Sequence, residues 1–167
     1  TAAAAVGEVS TRFGVTGDEL EDLSTKFVKF ANLNNSDVTT SVDTVQKAMA
    51  AWGMSAEEAG AFLDTLTKAA QDTGANATSL ATVVADNKTV FDEMGMSVYT
   101  AAGFLGQLDK NGVDSSAAMA GLKKALQNAA KEGKPLDEAL KELSDTLASG
   151  DTDTEAYAEA MELFGNK

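Results

Sequence analysis

The chain of 167 residues and 17.2 kDa carries 26 acidic against 13 basic side chains, a formal charge of −13, and has neither histidine nor cysteine. Those absences exclude Ser-His-Asp and Cys-His nucleophile arrangements, His or thiolate zinc sites, iron–sulfur clusters and disulfides. The charge balance, with Arg12 the only arginine, is the reverse of what a protein that tracks nucleic-acid phosphates needs. Leu, Val and Phe make up about one fifth of the residues, near the compositional edge of disorder, so order must come from their placement.

In chain order, the start Thr1–Ala5 lacks Met and the basic flank of a signal peptide, and the expectation is a segment of a longer protein. Leu20, Leu23, Phe27 and Phe30 then step by three and four, as helical faces do. The same step recurs in Val38, Val42, Val45, Met49 and Trp52, and in Ala59, Phe62, Leu63 and Leu66. Leu80, Val83, Val84, Asn87, Phe91 and Met94 read as one further helix, followed by Ala101 to Leu108 and Ala118 to Ala129. Leu136, Leu140, Leu143 and Leu147, then Tyr157, Met161 and Phe164, complete the series. No stretch alternates with period two and no apolar run reaches the roughly 18–20 residues that cross a bilayer. The expectation is an all-α fold of about eight helices, each 11–17 residues long, arranged as stacked helical hairpins in a solenoid-like or orthogonal array.

Helix starts and stops punctuate these sets. Ser55 with Glu58 spells a capping box, and Thr16, Ser36, Asn76, Ser97 and Asp114 read as N-caps. Pro135 suits a first helical turn. Gly14, Gly53, Gly74, Gly95, Gly112, Gly133, Gly150 and Gly165 fall where a helix ends on a left-handed residue.

Phe13-Gly14-Val-Thr16, Trp52-Gly53-Met-Ser55 and Met94-Gly95-Met-Ser97 share one pattern: large apolar residue, Gly, apolar residue, hydroxyl. It ends one helix on an apolar anchor, turns at Gly and caps the next. The glycines are 53 − 14 = 39 and 95 − 53 = 42 residues apart, and at the shift of 42 Phe62 aligns with Phe104, Leu63 with Leu105 and Leu66 with Leu108. Phe164-Gly165 begins another copy. A period near 40 with two helices per unit is the signature of stacked hairpins. The single helical module 1–167 would then divide into units 14–52, 53–94, 95–132 and 133–167.

The candidate chemistry is thin. Asp151-Thr-Asp153-Thr-Glu155 with Glu162 places oxygen ligands as a calcium loop does, but Ala156 stands where that loop needs Gly. Asp109 to Asp114 has its Gly at the fourth position and reads as a helix stop, a turn and a cap. Asp18, Glu19, Glu21 and Asp22 fit the first turns of a helix, with Asp22 facing Lys26. Gly60, Gly103 and Gly106 read as points of close helix–helix approach, and Met54, Met94 and Met96 as gap fillers. No catalytic, metal-ligating or cofactor-binding residue is expected.

Several stretches look familiar: Ala5-Val-Gly-Glu-Val-Ser-Thr-Arg-Phe-Gly14 followed by Gly17-Asp-Glu-Leu-Glu-Asp-Leu23, and Ala51-Trp-Gly-Met-Ser-Ala-Glu-Glu-Ala-Gly-Ala-Phe-Leu-Asp-Thr-Leu66 running on to Gly74. With Gly112–Ser116, Gly121–Leu126 and Ala160–Gly165, they resemble the N-terminal-side region of phage tail tape measure proteins in order and spacing. The resemblance implies a non-enzymatic structural and assembly module of a phage or prophage tail. It implies roles in tail-length determination, tube assembly and ejection with DNA, and a place in the lumen of the tail tube after assembly in the host cytoplasm. The partners it implies are tail tube proteins, tail assembly chaperones and other tape measure copies. Direct nucleic-acid binding is not expected of so acidic a segment. Because the length-measuring role belongs to long helical stretches, the segmented pattern points to a folded module rather than the ruler. The competing readings are an acidic helical-repeat adaptor that binds protein through an apolar groove, and a hydrolase built on carboxylates alone.

Overall fold

A computed structural model describes residues 2–135 and Glu138. The expected helices over Leu136–Leu147 and Tyr157–Phe164, the acids Asp151–Glu162, Gly150, and the junction residues Phe164 and Gly165 lie outside the described residues.

The described residues form eight α-helices and no strand: α1 (Ala2–Phe13), α2 (Gly17–Leu33), α3 (Val38–Ala51), α4 (Ala59–Thr73), α5 (Ala77–Asp86), α6 (Lys88–Glu93), α7 (Val98–Lys110) and α8 (Ser115–Glu132), with a 3-10 turn at Ala56–Glu58 before α4. The all-α expectation holds, but two helices differ from the sequence reading. Helix α1 was not anticipated, because its buried face is only Ala5 and Val9 and offers no large apolar steps. Its alanine-rich start has high helix propensity, and packing on its neighbours supplies the rest. The stretch from Leu80 to Met94, read as one helix, breaks at Asn87, which is the C-cap of α5 and the N-cap of α6. The Asn87 side-chain amide donates to the Val83 carbonyl at 2.8 Å, beside its own backbone N–H on the same oxygen at 3.2 Å, a local side-chain bond that competes with helix continuation at the break.

The helices lie in two rows. In the first, α2 packs on α4 and α4 on α7; in the second, α1 packs on α3, α3 on α5, and α6 on α8. The rows are cross-linked where α1 meets α2, α2 meets α3, α4 meets α5, α5 meets α7 and α7 meets α8. The core runs along the seam and is filled by Phe27, Phe30, Phe62, Leu66, Phe91 and Leu105, all fully or almost fully buried. Small residues complete it: Ala48, Ala59, Ala81, Ala101 and Ala102 are each 0% exposed, which lets the helix axes approach closely. The sparse large residues of the composition are thus enough, because alanine fills the spaces between them.

Candidate functional site at the helix junctions

Of the junction residues singled out in the sequence, those that are described (Phe13, Gly14, Thr16, Trp52, Gly53, Ser55, Met94, Gly95 and Ser97) fall at the turns between rows. Gly14, Gly53 and Gly95 are left-handed, with φ of 68°, 65° and 68°, and two residues later Thr16, Ser55 and Ser97 begin the next helix. Phe13, Trp52 and Met94, the anchors before each glycine, are partly buried against the core. Ser97 Oγ accepts from the Thr100 N–H at 3.2 Å. Ser55 and Glu58 form the capping box, with the Glu58 carboxylate accepting the Ser55 N–H at 2.8 Å. Thr16 occupies the N-cap position of α2 without a side-chain capping bond.

Three further junctions have the same plan. Asn35 (φ 49°), Gly74 (φ 80°) and Gly112 (φ 75°) are left-handed, and two residues later Asp37, Asn76 and Asp114 cap α3, α5 and α8. Their side-chain oxygens accept the N–H of Thr40, Ser79 and Ala117 at 2.9, 2.9 and 2.7 Å. The cap of α3 is therefore Asp37 and not Ser36, whose hydroxyl instead pairs with Ser41 at 2.8 Å. Asp37 wins because its carboxylate reaches both the N–H and the hydroxyl of Thr40. Those two bonds hold its pKa below the ordinary carboxylate value, the backbone bond contributing most.

How the turns close is nearly uniform. The N–H of Ser36, Met54, Met96, Val113 and Lys134 donates five residues back, to Ala31, Met49, Phe91, Leu108 and Ala129, at 2.9–3.0 Å. This is the Schellman closure, which requires the left-handed residue one place earlier. Gly14 and Gly74 close with a single bond four residues back, at 3.1 and 2.8 Å.

The caps of the second row escaped the sequence reading as a set, although the signal is there. Asp37, Asn76 and Asp114 stand 76 − 37 = 39 and 114 − 76 = 38 residues apart. Burial keeps the same register: Val38, Ser41, Val42 and Val45 are matched by Ala77, Leu80, Ala81 and Val84, then by Ser115, Ala118, Met119 and Leu122, all buried. The chemical types differ at each position, so only the positions of burial align.

Trp52 links two junctions. Its indole N–H donates to the Val84 carbonyl at 3.0 Å, at the end of α5. Its ring lies 6.3 Å from that of Phe91, and the Lys88 ammonium sits 5.5 Å from its centroid. Phe91 in turn meets Phe104 edge-on at 6.4 Å. At the first junction, Phe13 lies 5.6 Å from Phe27, and Arg12 joins α1 to α3 through Asp43 at 2.7 Å.

The other singled-out residues resolve as follows. Asp18 and Glu19 lie in the first turn of α2, and Asp22 pairs with Lys26 at 2.6 Å. Gly60 and Gly106 are points of close approach, to Lys26 and to Thr73 and Ala69 respectively, whereas Gly103 faces open space, so the close-approach reading fails there. Met54, Met94 and Met96 pack partly buried against the core. Among the described residues no group of three or more Asp or Glu is placed to hold a metal ion, and no helix is long and apolar enough to cross a membrane. What the junctions do is mechanical: they fix the direction in which each helix returns across the rows.

Comparison with known proteins gives two matches. The model of a family described as phage-related minor tail protein matches residues 1–165. A protein of Pneumococcus phage Dp-1 named "Tape measure protein" is 28% identical over 130 residues, which are 78% of this chain and 11% of that relative. The matched region is thus about a ninth of the relative's length. No solved structure matches.

Proposed function

The chain belongs to the family of phage-related minor tail proteins, and from that premise we propose that it is a folded helical module within a tape measure protein, distinct from the extended helix that would act as the ruler. Membership makes it a structural component of the phage tail. The observation that carries the finer reading is the junction geometry: six turns that each place a left-handed residue two positions before a helix N-cap. One unbroken helix of this length would extend about 250 Å. These turns instead return the chain every 20 residues or so.

In this reading the units 14–52, 53–94, 95–132 and 133–167 are stacked hairpins, and Phe13, Gly14, Thr16, Trp52, Gly53, Ser55, Met94, Gly95, Ser97, Phe164 and Gly165 are their junctions. The module resides in the tail tube lumen, assembles in the host cytoplasm, and contacts tube proteins, assembly chaperones and other tape measure copies. Its part in length determination is to fold and dock rather than to measure, and it leaves with the DNA. It performs no catalysis.

The test is an in-frame deletion in the phage that joins Gly53 to Met96, removing 95 − 53 = 42 residues. Tails should assemble at unchanged length. A shortening of roughly 60 Å, as 42 residues of extended ruler helix would give, would overturn the reading.

A further inference from the structure

The first turn of the array is the least covered. A groove of about 640 Å³ opens between α1 and α2, lined chiefly by Ala2, Val6, Gly17, Leu20, Ser24 and Val28. Val6 is 41% exposed, beside the buried face of α1 formed by Ala5 and Val9. The Ser24 hydroxyl is buried in the groove wall and has no hydrogen-bond partner.

Register shows what such a surface meets elsewhere in the molecule. At the 39-residue spacing Val6 corresponds to Val45 and then Val84, both 0% exposed. Ala2, which is exposed, corresponds to Ser41 and Leu80, at 0% and 1%. On α2, Leu20 and Ser24 correspond to Ala59 and Leu63 of α4, at 0% and 3%. Glu21 corresponds to Gly60, against which the Lys26 side chain of α2 packs within 3.1 Å of a Cβ position. The face that α4 presents to α2 is therefore the face that α2 presents to the groove. Among the described residues α1 packs on α2 and on α3, and its face bearing Ala2 and Val6 is left to the groove.

We infer that the groove is the seat of one more first-row helix, supplied by the same polypeptide upstream of Thr1, which pairs with α1 as α2 pairs with α3. The occupant is an amphipathic helix whose aliphatic stripe, at i, i+3, i+4 and i+7, covers Val6, Leu20 and Val28 and offers a polar group to Ser24. The match takes up 11% of the relative's length. This inference rests on the stacked-unit reading, and the experiment separates the two.

The chain has no cysteine, so single replacements give clean thiol labelling. Val6→Cys and, as a buried reference, Val45→Cys are made both in the 167-residue chain and in the full-length protein. In the shorter chain the cysteine at position 6 should label rapidly and that at 45 slowly. In the full-length protein, labelling at position 6 should slow by more than about tenfold, with position 45 unchanged. Equal labelling of position 6 in both, with 45 still protected, would overturn the upstream helix. Rapid labelling at 45 would overturn the stacked units themselves. Protection of position 6 in the shorter chain that grows with protein concentration would also overturn it, in favour of a second copy as the occupant.

Discussion

Asp37 caps α3 through the N–H and hydroxyl of Thr40, and this lowers its pKa in the folded state. A group with a depressed folded pKa stabilises above its ordinary value and loses that contribution as pH falls through the folded one. Asp37→Asn keeps an acceptor but removes the titration. Its urea midpoint should therefore stay close to the parent's near pH ~7 and fall less steeply in acid, below the ordinary carboxylate range; parallel acid limbs would contradict the assignment. Two helix glycines make a sharper contrast. Gly103 has nothing within 4 Å of a Cβ position, so Gly103→Ala should gain roughly 1 kcal/mol from helix propensity alone. At Gly106 a Cβ would sit 3.2 Å from both Thr73 Cγ2 and Oγ1, and the Thr73 hydroxyl is fixed by a 2.6 Å bond to the Ala69 carbonyl. Gly106→Ala should gain nothing or lose stability in the same denaturation assay. A gain equal to that at Gly103 would show that the helices separate freely.

Among the elements, α5 and α6 show how the array absorbs an irregular spacing. The first-junction glycines are 39 residues apart and the next pair 42, while burial in α5 keeps the 39-residue register as far as Val84. The three extra residues therefore accumulate between Val84 and Gly95, where the helix breaks at Asn87. Trp52 seals that place by donating to the Val84 carbonyl while its ring stays beside Phe91. Trp52→Phe retains most of the ring contact and loses the donor. It should lower unfolding stability by about 1 kcal/mol, and hydrogen exchange should rise first in α6. An unchanged denaturation midpoint would remove Trp52 from this role. The end of this helical stretch at Met94 was legible from apolar spacing. The break was not, because Asn87 lies on the apolar stripe and interrupts no period.

At the scale of the molecule, two rows of helices share one narrow core and expose an excess of carboxylates. Lysines are partly used within their own helices, as in Lys47 with Asp43 and Lys68 with Asp72 at 2.8 Å, which leaves the net field strongly negative. DNA moving past such a surface is repelled, and fluorescence anisotropy at about 0.15 M salt should detect no complex between the 167-residue chain and duplex DNA. Measurable affinity there would contradict the proposed place of the module. The groove at α1 and α2 belongs to this scale as well, since only the comparison of successive layers identifies it as a seat.

Helix content, the positions of most turns and the exclusion of His- or Cys-based chemistry were decided by the sequence alone. Apolar spacing, glycine in the left-handed region and short polar caps act within a few residues of each other, so they can be read locally. Asn35, Asp37 and the break at Asn87 mark where local reading ended: an asparagine in the left-handed region, a carboxylate competing with the serine beside it, and a side-chain amide bonded back onto the Val83 carbonyl. Which helix packs on which, that Val6 is open while Val45 is sealed, and that Gly106 is crowded while Gly103 is free were decided by the tertiary structure. Those outcomes depend on side chains separated by tens of residues, and a stripe of alanine and glycine looks the same in sequence whether a neighbouring helix or water lies against it.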